Sequence, residues 1–233
     1  MAKQTAKQAE QGEGVLGALF FEMENAALGA RRIRYEVLAG IFKEQGIGFE
    51  PVEYSRWCLG RPEAYMPGLL KRKEYTAAGP EQVIERLRGE TLSRLMQKDC
   101  LLDEGLSAWL EQAHEEKAAI AALTSLPQDA AEGVASRLNL EKWGVKVMSA
   151  GEGIGYAHPE AWMRAAKSVG RLPQGCLALT TASAFTQAAL TAGCAVVAVP
   201  DEFTAWEDFS GAEKVLESLK DASFHDCAQQ SKY

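Results

Sequence analysis

The sequence predicts a doubly wound α/β fold, in which helices flank a parallel β-sheet and a second, all-helical unit is inserted after the first strand. Three observations predict it. Short apolar runs typical of strands buried on both faces recur along the chain. Amphipathic stretches of roughly 10 to 15 residues separate most of these runs. The region 31–94 shows helical patterning alone. Strands that alternate with helices are typical of parallel βαβ units.

The core elements follow one another in a regular order. The predicted strands are the apolar runs 15–21, 119–123, 145–148, 176–179 and 195–199. The predicted core helices are 106–113, 128–138, 159–169 and 183–192. Because ligands bind beyond the carboxyl ends of the strands in such sheets, we expect Glu22, Thr124 and Thr180 to face one crevice.

The pattern also predicts the domain boundaries. We assign the α/β core to residues 15–29 and 101–222, and the helical cap to residues 30–100, where apolar residues recur at helical spacing between Gly- and Pro-rich breaks. Residues 1–14 contain Lys, Gln, Glu and Gly and almost no large apolar side chain, which predicts a flexible N-terminal tail. Residues 223–233 are predicted to be a C-terminal tail.

Composition and charge argue against several classes of function. The chain has 233 residues and a formal net charge of −7, and its basic residues are mostly scattered, which disfavours a nucleic-acid partner. No apolar run reaches the roughly 18 residues that span a bilayer, so we expect no membrane association. The five cysteines are odd in number and form no C-x-x-C pair. We therefore expect a reducing, cytoplasmic location and no structural zinc site.

Four stretches of sequence carry a resemblance to a known family. Glu22-Met23-Glu24-Asn25 stands where the family has D-x-D-G, and the second predicted strand ends in Thr124-Ser125. Gly155-Tyr156-Ala157-His158-Pro159 resembles G-K-P-x-P, and 176–183 resembles C-L-V-F-E-D-S. In these stretches, and in the cap inserted after the first strand, the chain resembles the haloacid dehalogenase (HAD) superfamily. Within this superfamily it resembles the phosphatases and mutases that are similar to β-phosphoglucomutase. The resemblance covers about residues 15–220 and implies a HAD-like Rossmannoid core with a helical cap.

The resemblance also implies roles for the residues at the strand ends. Glu22 stands at the position of the aspartate that attacks phosphorus, and Glu24 at that of the aspartate that protonates the leaving group. Both glutamates are one methylene longer, and a misplacement of about 1 Å costs such reactions roughly a hundredfold. Thr124 keeps a residue type with which the family binds a phosphate oxygen. Asn25 replaces a turn glycine and tolerates positive φ.

The charged groups that neutralise the phosphoryl group are replaced by neutral ones. Tyr156 stands at the position of the family's lysine, and Thr180 and Thr181 stand at the position of the carboxylates that hold magnesium. A tyrosine near pH 7 supplies no positive charge, and hydroxyls are weak ligands for a hard dication. Without these charges, two glutamates would repel a phosphate dianion.

For most of these residues a structural role competes with a functional one. Thr124 and Ser125 either bind a ligand or cap the following helix, and we favour capping; Thr180, Thr181 and Ser183 are interpreted in the same way.

Three further features have the same ambiguity. His158 is either a replacement acid or a loop residue, and Cys58 is either a reactive thiol or buried packing. The cluster Arg31-Arg32-Ile33-Arg34 either reaches a ligand from the cap or is a solvated helix start. We favour the structural role in each case.

These observations lead to one hypothesis and one alternative. The hypothesis is a pseudo-phosphatase that has lost magnesium-dependent aspartyl-phosphate chemistry and acts by binding an unknown small molecule or protein partner. The ligand-binding candidates are Glu22, Glu24, Thr124 and Ser125, with no cofactor and no metal. The alternative is a phosphomonoesterase or sugar-phosphate mutase that uses Glu22 as nucleophile and requires magnesium.

Overall fold

The structure is a computed structural model that describes residues 16–149 and 155–230. The predicted flexible tail, residues 1–14, lies outside the described residues.

A parallel sheet forms the centre of the molecule. In the described part of the chain its six strands lie in the order β3-β2-β1-β4-β5-β6, and every neighbouring pair is parallel. The strands are β1 Ala18–Glu22, β2 Ala119–Thr124, β3 Lys146–Ser149, β4 Cys176–Thr180, β5 Ala195–Ala198 and β6 Lys214–Val215. All residues of β1, β4 and β5 are buried, as expected for strands covered on both faces. The predicted fold class is confirmed.

Helices cover both faces of this sheet and form the cap. They are α1 Asn25–Leu28, α2 Ala30–Lys43, α3 Pro51–Trp57, α4 Pro62–Arg72, α5 Pro80–Leu95, α6 Glu104–Glu115, α7 Gln128–Arg137, α8 Pro159–Ser168, α9 Ser183–Ala192 and α10 Phe224–Gln230. Helices α6, α7 and α10 contribute to one buried apolar cluster, and α8 and α9 contribute to a second. Alternate residues of β1 divide between these clusters: Leu19 and Phe21 belong to the first, Ala18 and Phe20 to the second.

The cap has an apolar core of its own. Helices α2 to α5 supply nearly all of its buried residues, among them Leu38, Phe42 and Tyr54. One member comes from outside the cap: Phe203 follows β5 in the α/β core, and its ring lies edge-on to Tyr54 with centroids 4.9 Å apart. The cap is therefore packed around a side chain of the core.

Two segments differ from the sequence analysis. Residues 224–230 of the predicted C-terminal tail form α10, because Phe224, Cys227 and Ala228 share one face and are buried in the core. The other is strand β6, which was not predicted because it has only two residues and is partly exposed.

Within the described residues, no helix combines the length and the apolar character that crossing a membrane requires.

Candidate active-site crevice

Strand register brings the carboxyl ends of three neighbouring strands, β1, β2 and β4, together at one edge of the sheet. Glu22, the last residue of β1, pairs in register with Leu123 of β2, and Phe21 pairs with Leu179 of β4. Thr124 and Thr180 follow these two partners directly, so the three predicted residues lie side by side.

The carboxylate of Glu22 is fully buried and fully hydrogen-bonded. Its Oε1 accepts a hydrogen bond from the backbone N–H of Thr181 at 2.6 Å, and its Oε2 accepts one from the Thr181 hydroxyl at 2.7 Å. The side-chain amide of Asn25 donates a third at 3.1 Å to Oε2. None of the Glu22 surface is exposed. The atoms that would attack a phosphorus are thus engaged within the protein.

Arg31 brings a positive charge into the same cluster from the cap. Its NH2 donates to the Thr181 hydroxyl at 2.8 Å and lies 3.9 Å from Glu22 Oε2, while its NH1 donates to Asp201 Oδ2. Arg31 is only 4% exposed, so the predicted solvated helix start is wrong at this residue. Arg32, in contrast, is exposed and forms a surface ion pair with Glu202.

Burial is the main influence on the protonation of Glu22. Desolvation raises the pKa of this carboxyl above its ordinary value, because a charge in the interior loses its hydration. The nearby Arg31 guanidinium opposes this most strongly, followed by the hydrogen bonds from Thr181 and Asn25. The net direction is upward.

Glu24 is buried too, but only one of its oxygens has a partner. Oε1 accepts hydrogen bonds from the backbone N–H of Ser125 at 2.9 Å and from its hydroxyl at 2.6 Å. Oε2 is buried and has no hydrogen-bond partner among the described residues. Such an acceptor is costly unless something donates to it.

The threonine hydroxyls of the crevice form hydrogen bonds with the nearby backbone and with one another. Thr124 Oγ1 accepts from the Leu126 N–H at 3.1 Å, and the hydroxyls of Thr180 and Thr186 lie 2.6 Å apart. The N-caps of α7 and α9 are Pro127 and Ala182, and neither has a side-chain cap. The favoured capping roles are therefore wrong: Thr124 closes a turn, whereas Thr181 and Ser125 bind the two glutamates.

Helix α9 has an acidic partner instead of a cap. The backbone N–H of Ser183, its first residue, donates to Glu207 Oε2 at 2.6 Å. A carboxylate at this end complements the helix dipole. This contact leaves less room for a phosphate at the same N-terminus.

Tyr156 fills space where the resemblance places a lysine. Its ring is buried edge-on to Phe185, with centroids 4.6 Å apart, and its hydroxyl accepts a hydrogen bond from Asn25 Nδ2 at 3.3 Å. Burial raises its pKa well above the ordinary value, and the carboxylates of Glu24 and Glu22 add to this. Tyr156 is accordingly neutral and supplies no cation.

Three remaining predictions concern residues beside the crevice. His158 is exposed and stands at the N-cap of α8 without a side-chain cap. Cys58 is buried, and burial raises its pKa to about 12, so its thiol is protonated and unreactive. Asn25 does not use its tolerance of positive φ: it begins α1, and the left-handed residue of this loop is Gly29.

Asp201 is the site residue that the sequence analysis missed. It follows β5 and Pro200, and besides pairing with Arg31 its Oδ1 accepts from the Phe203 N–H at 3.0 Å. A sequence signal was present, because a charged residue just beyond a buried parallel strand lies at the ligand-binding edge of the sheet.

The residues present do not fit a divalent cation. Glu22, Thr181 and Asp201 supply oxygens of the type that magnesium prefers, but the Arg31 guanidinium already lies among them. In the described ranges, no group of three or more His, Cys, Asp or Glu residues could hold a metal ion.

Comparison with known proteins finds similar folds among solved structures. No protein-family model and no curated protein matches the chain. Many solved structures do. The Entamoeba histolytica HAD hydrolase of family IA, variant 3, has a TM-score of 0.77 at 16% identity, with coverage of 93% of this chain and 99% of that one. The β-phosphoglucomutase of Clostridium difficile has 0.69 at 19%, covering 93% and 97%. A HAD family hydrolase of Deinococcus radiodurans, solved with bound phosphate and sodium, has 0.73 at 18%, covering 89% and 93%.

The sheet order, the helical cap and these likenesses define a doubly wound α/β fold with a parallel sheet and an inserted helical cap. More particularly, the chain has the fold of the HAD hydrolases, as the resemblance implied. Identities below 20% show the fold and leave the chemistry to the residues in the crevice.

Proposed function

We propose that this chain is a HAD-like protein that has lost phosphoryl transfer and acts by binding a small molecule or a partner protein. One observation carries the proposal: Glu22 is fully buried, and both of its oxygens are hydrogen-bonded inside the protein. In-line attack needs a nucleophile in near contact with phosphorus, so these bonds would have to break first.

Electrostatics supports the same conclusion. Phosphoryl transfer depends on cations that neutralise the charge of the transferring group. Tyr156 is neutral, and the Arg31 guanidinium is already paired with Asp201 and Thr181. The Arg34 guanidinium, which interacts with the charge of Glu24, donates to Asn25 Oδ1 at 3.4 Å. Phosphate would therefore meet Glu22 and Glu24 beside guanidinium groups that already have partners within the protein.

The unpaired oxygen of Glu24 suggests what kind of ligand would fit. A buried carboxylate oxygen without a donor favours a ligand that carries a hydroxyl or amino group. Such a ligand would reach Glu24 from the side of Ser125, which is exposed. Phosphorylation of the ligand is not required.

The first test compares turnover in the wild type and in Glu22→Gln. We expect neither protein to hydrolyse a panel of phosphomonoesters at saturating magnesium, and no difference between them. Turnover that requires magnesium and is lost in Glu22→Gln would contradict the proposal and identify a phosphatase with a glutamate nucleophile.

The second test searches for the ligand by thermal stabilisation. A ligand that binds only the folded state at about 100 times its Kd stabilises by roughly 2.7 kcal/mol. We expect some hydroxylated or amino metabolites to raise the unfolding temperature of the wild type but not that of Glu24→Ala. Equal stabilisation of both proteins would place the ligand elsewhere.

A further inference from the structure

The guanidinium of Arg31 lies at the meeting point of three oxygen-bearing side chains. Its two terminal nitrogens contact Thr181 Oγ1 at 2.8 Å and Asp201 Oδ2, and NH2 lies 3.9 Å from Glu22 Oε2. These oxygens come from the ends of β1 and β4 and from the segment after β5, whereas Arg31 is the second residue of α2. One cap residue therefore gathers three parts of the core.

Two carboxylates and a hydroxyl form a ligand set that suits a hard cation. A guanidinium satisfies the same set differently, because it is planar, carries its charge at any physiological pH and directs several N–H donors at fixed angles. It is also covalently attached, so it cannot dissociate as a bound ion can. With Arg31 in place, a dication at these oxygens would lie within a few ångströms of another positive charge.

We propose that Arg31 is a permanent cation at the oxygens of Glu22, Thr181 and Asp201, and that it excludes divalent cations from them. The inference goes beyond the proposed function, since it concerns what neutralises the carboxylates and not what the crevice binds. It makes the folded protein independent of magnesium. It also implies that removal of the Arg31 side chain creates a cation site at these oxygens.

The experiment measures the unfolding temperature with and without Mn²⁺ and Mg²⁺ in the wild type and in Arg31→Ala. The buffer is held at about pH 8, because protons compete with cations for the Glu22 carboxylate and a higher pH reduces this competition. We expect no cation-dependent shift in the wild type. We expect Arg31→Ala to unfold at a lower temperature and to recover roughly 5–10 °C at a cation concentration about 100 times its Kd.

Three further variants locate the effect. Arg32→Ala removes the neighbouring arginine, which is exposed and pairs with Glu202, and should stay insensitive to cations. The double variant Arg31→Ala/Glu22→Gln keeps the space but lacks one carboxylate, so the recovery should be lost. Arg31→Lys keeps a positive charge and should stay insensitive to cations, although it should unfold at a lower temperature than the wild type because an ammonium cannot make both contacts.

Each outcome decides the inference. If Arg31→Ala folds poorly, a refolding yield that rises with Mn²⁺ counts as the same stabilisation, and an unchanged yield counts against it. A cation-dependent shift in the wild type, or none in Arg31→Ala, would overturn the inference. Cation binding by the wild type without turnover would leave the proposed function intact, whereas magnesium-dependent turnover would overturn both.

Discussion

Two glutamates at the end of one strand have different environments. Glu22 accepts three hydrogen bonds and lies 3.9 Å from Arg31, whereas Glu24 has one buried oxygen without a partner. The length of the glutamate side chain allows the Glu22 carboxylate to reach the backbone N–H of Thr181, beyond the end of the neighbouring strand. In this position the Glu22 carboxylate binds the protein's own backbone.

Replacing Glu22 with glutamine should change the pH dependence of stability. Because burial raises the pKa of Glu22, the folded state keeps this proton to a higher pH than the unfolded chain does. The contribution of Glu22 to the free energy of unfolding therefore falls as pH rises from about 4.5 to the raised pKa. Glutamine does not titrate. We expect Glu22→Gln to gain stability relative to the wild type as pH rises above about 4.5 in urea unfolding experiments.

Glu104→Gln provides a control of opposite sign. A hydrogen bond from Lys220 lowers the pKa of the exposed Glu104, so its contribution is present above its ordinary pKa and lost as pH falls through the lowered value. This variant should lose stability relative to the wild type as pH rises over that lower range. Parallel pH profiles for the two variants would contradict the assigned direction for Glu22.

At the scale of the elements, the sequence predicts the strands well because their burial leaves a simple apolar pattern. The run 119–123 corresponds to Ala119–Thr124, and 195–199 corresponds to Ala195–Ala198. Helix α10 was missed although Phe224, Cys227 and Ala228 recur at helical spacing, because the segment is only seven residues long.

The crevice was predicted only in part, for a physical reason. The register of parallel strands determines which strand ends are neighbours, so Glu22, Thr124 and Thr180 could be placed together from sequence. The pair between Arg31 and Asp201 joins residues 170 positions apart and depends on how the cap sits on the core. No periodicity encodes that arrangement.

Two glycines in helices test how tightly the elements pack. A Cβ added at Gly105 of α6 would lie 2.7 Å from the Leu219 Cβ, whereas one added at Gly89 of α5 would have no neighbour within 4 Å. We expect Gly105→Ala to lower the free energy of unfolding by about 1–3 kcal/mol through overpacking. Gly89→Ala should raise it by about 0.5–1 kcal/mol through helix propensity. Urea unfolding of both variants checks this, and destabilisation by both would contradict it.

At the scale of the whole molecule, the segment that follows β5 in the core makes non-covalent contacts with the cap. Asp201 pairs with Arg31 and Glu202 with Arg32, both on α2. Phe203 then inserts into the apolar core of the cap and is 1% exposed. These neighbouring contacts have different strengths, because the exposed pair with Glu202 contributes little, whereas a buried aromatic ring contributes several kcal/mol.

Removing the Phe203 ring should therefore loosen the cap more than the core. We expect Phe203→Ala to lower the free energy of unfolding by about 3–5 kcal/mol, since it leaves a cavity beside Tyr54. The cap and the sheet have separate apolar clusters, so amide exchange should accelerate mainly in α2 to α5 and little in β1 and β4. Hydrogen exchange followed by mass spectrometry measures both regions at once. Glu202→Gln, which removes only the exposed pair, should cost about 1 kcal/mol or less and leave the exchange pattern unchanged. Equal acceleration of the cap and the sheet in Phe203→Ala would show instead that the two units open together, and that this ring stabilises the whole molecule as one cooperative unit.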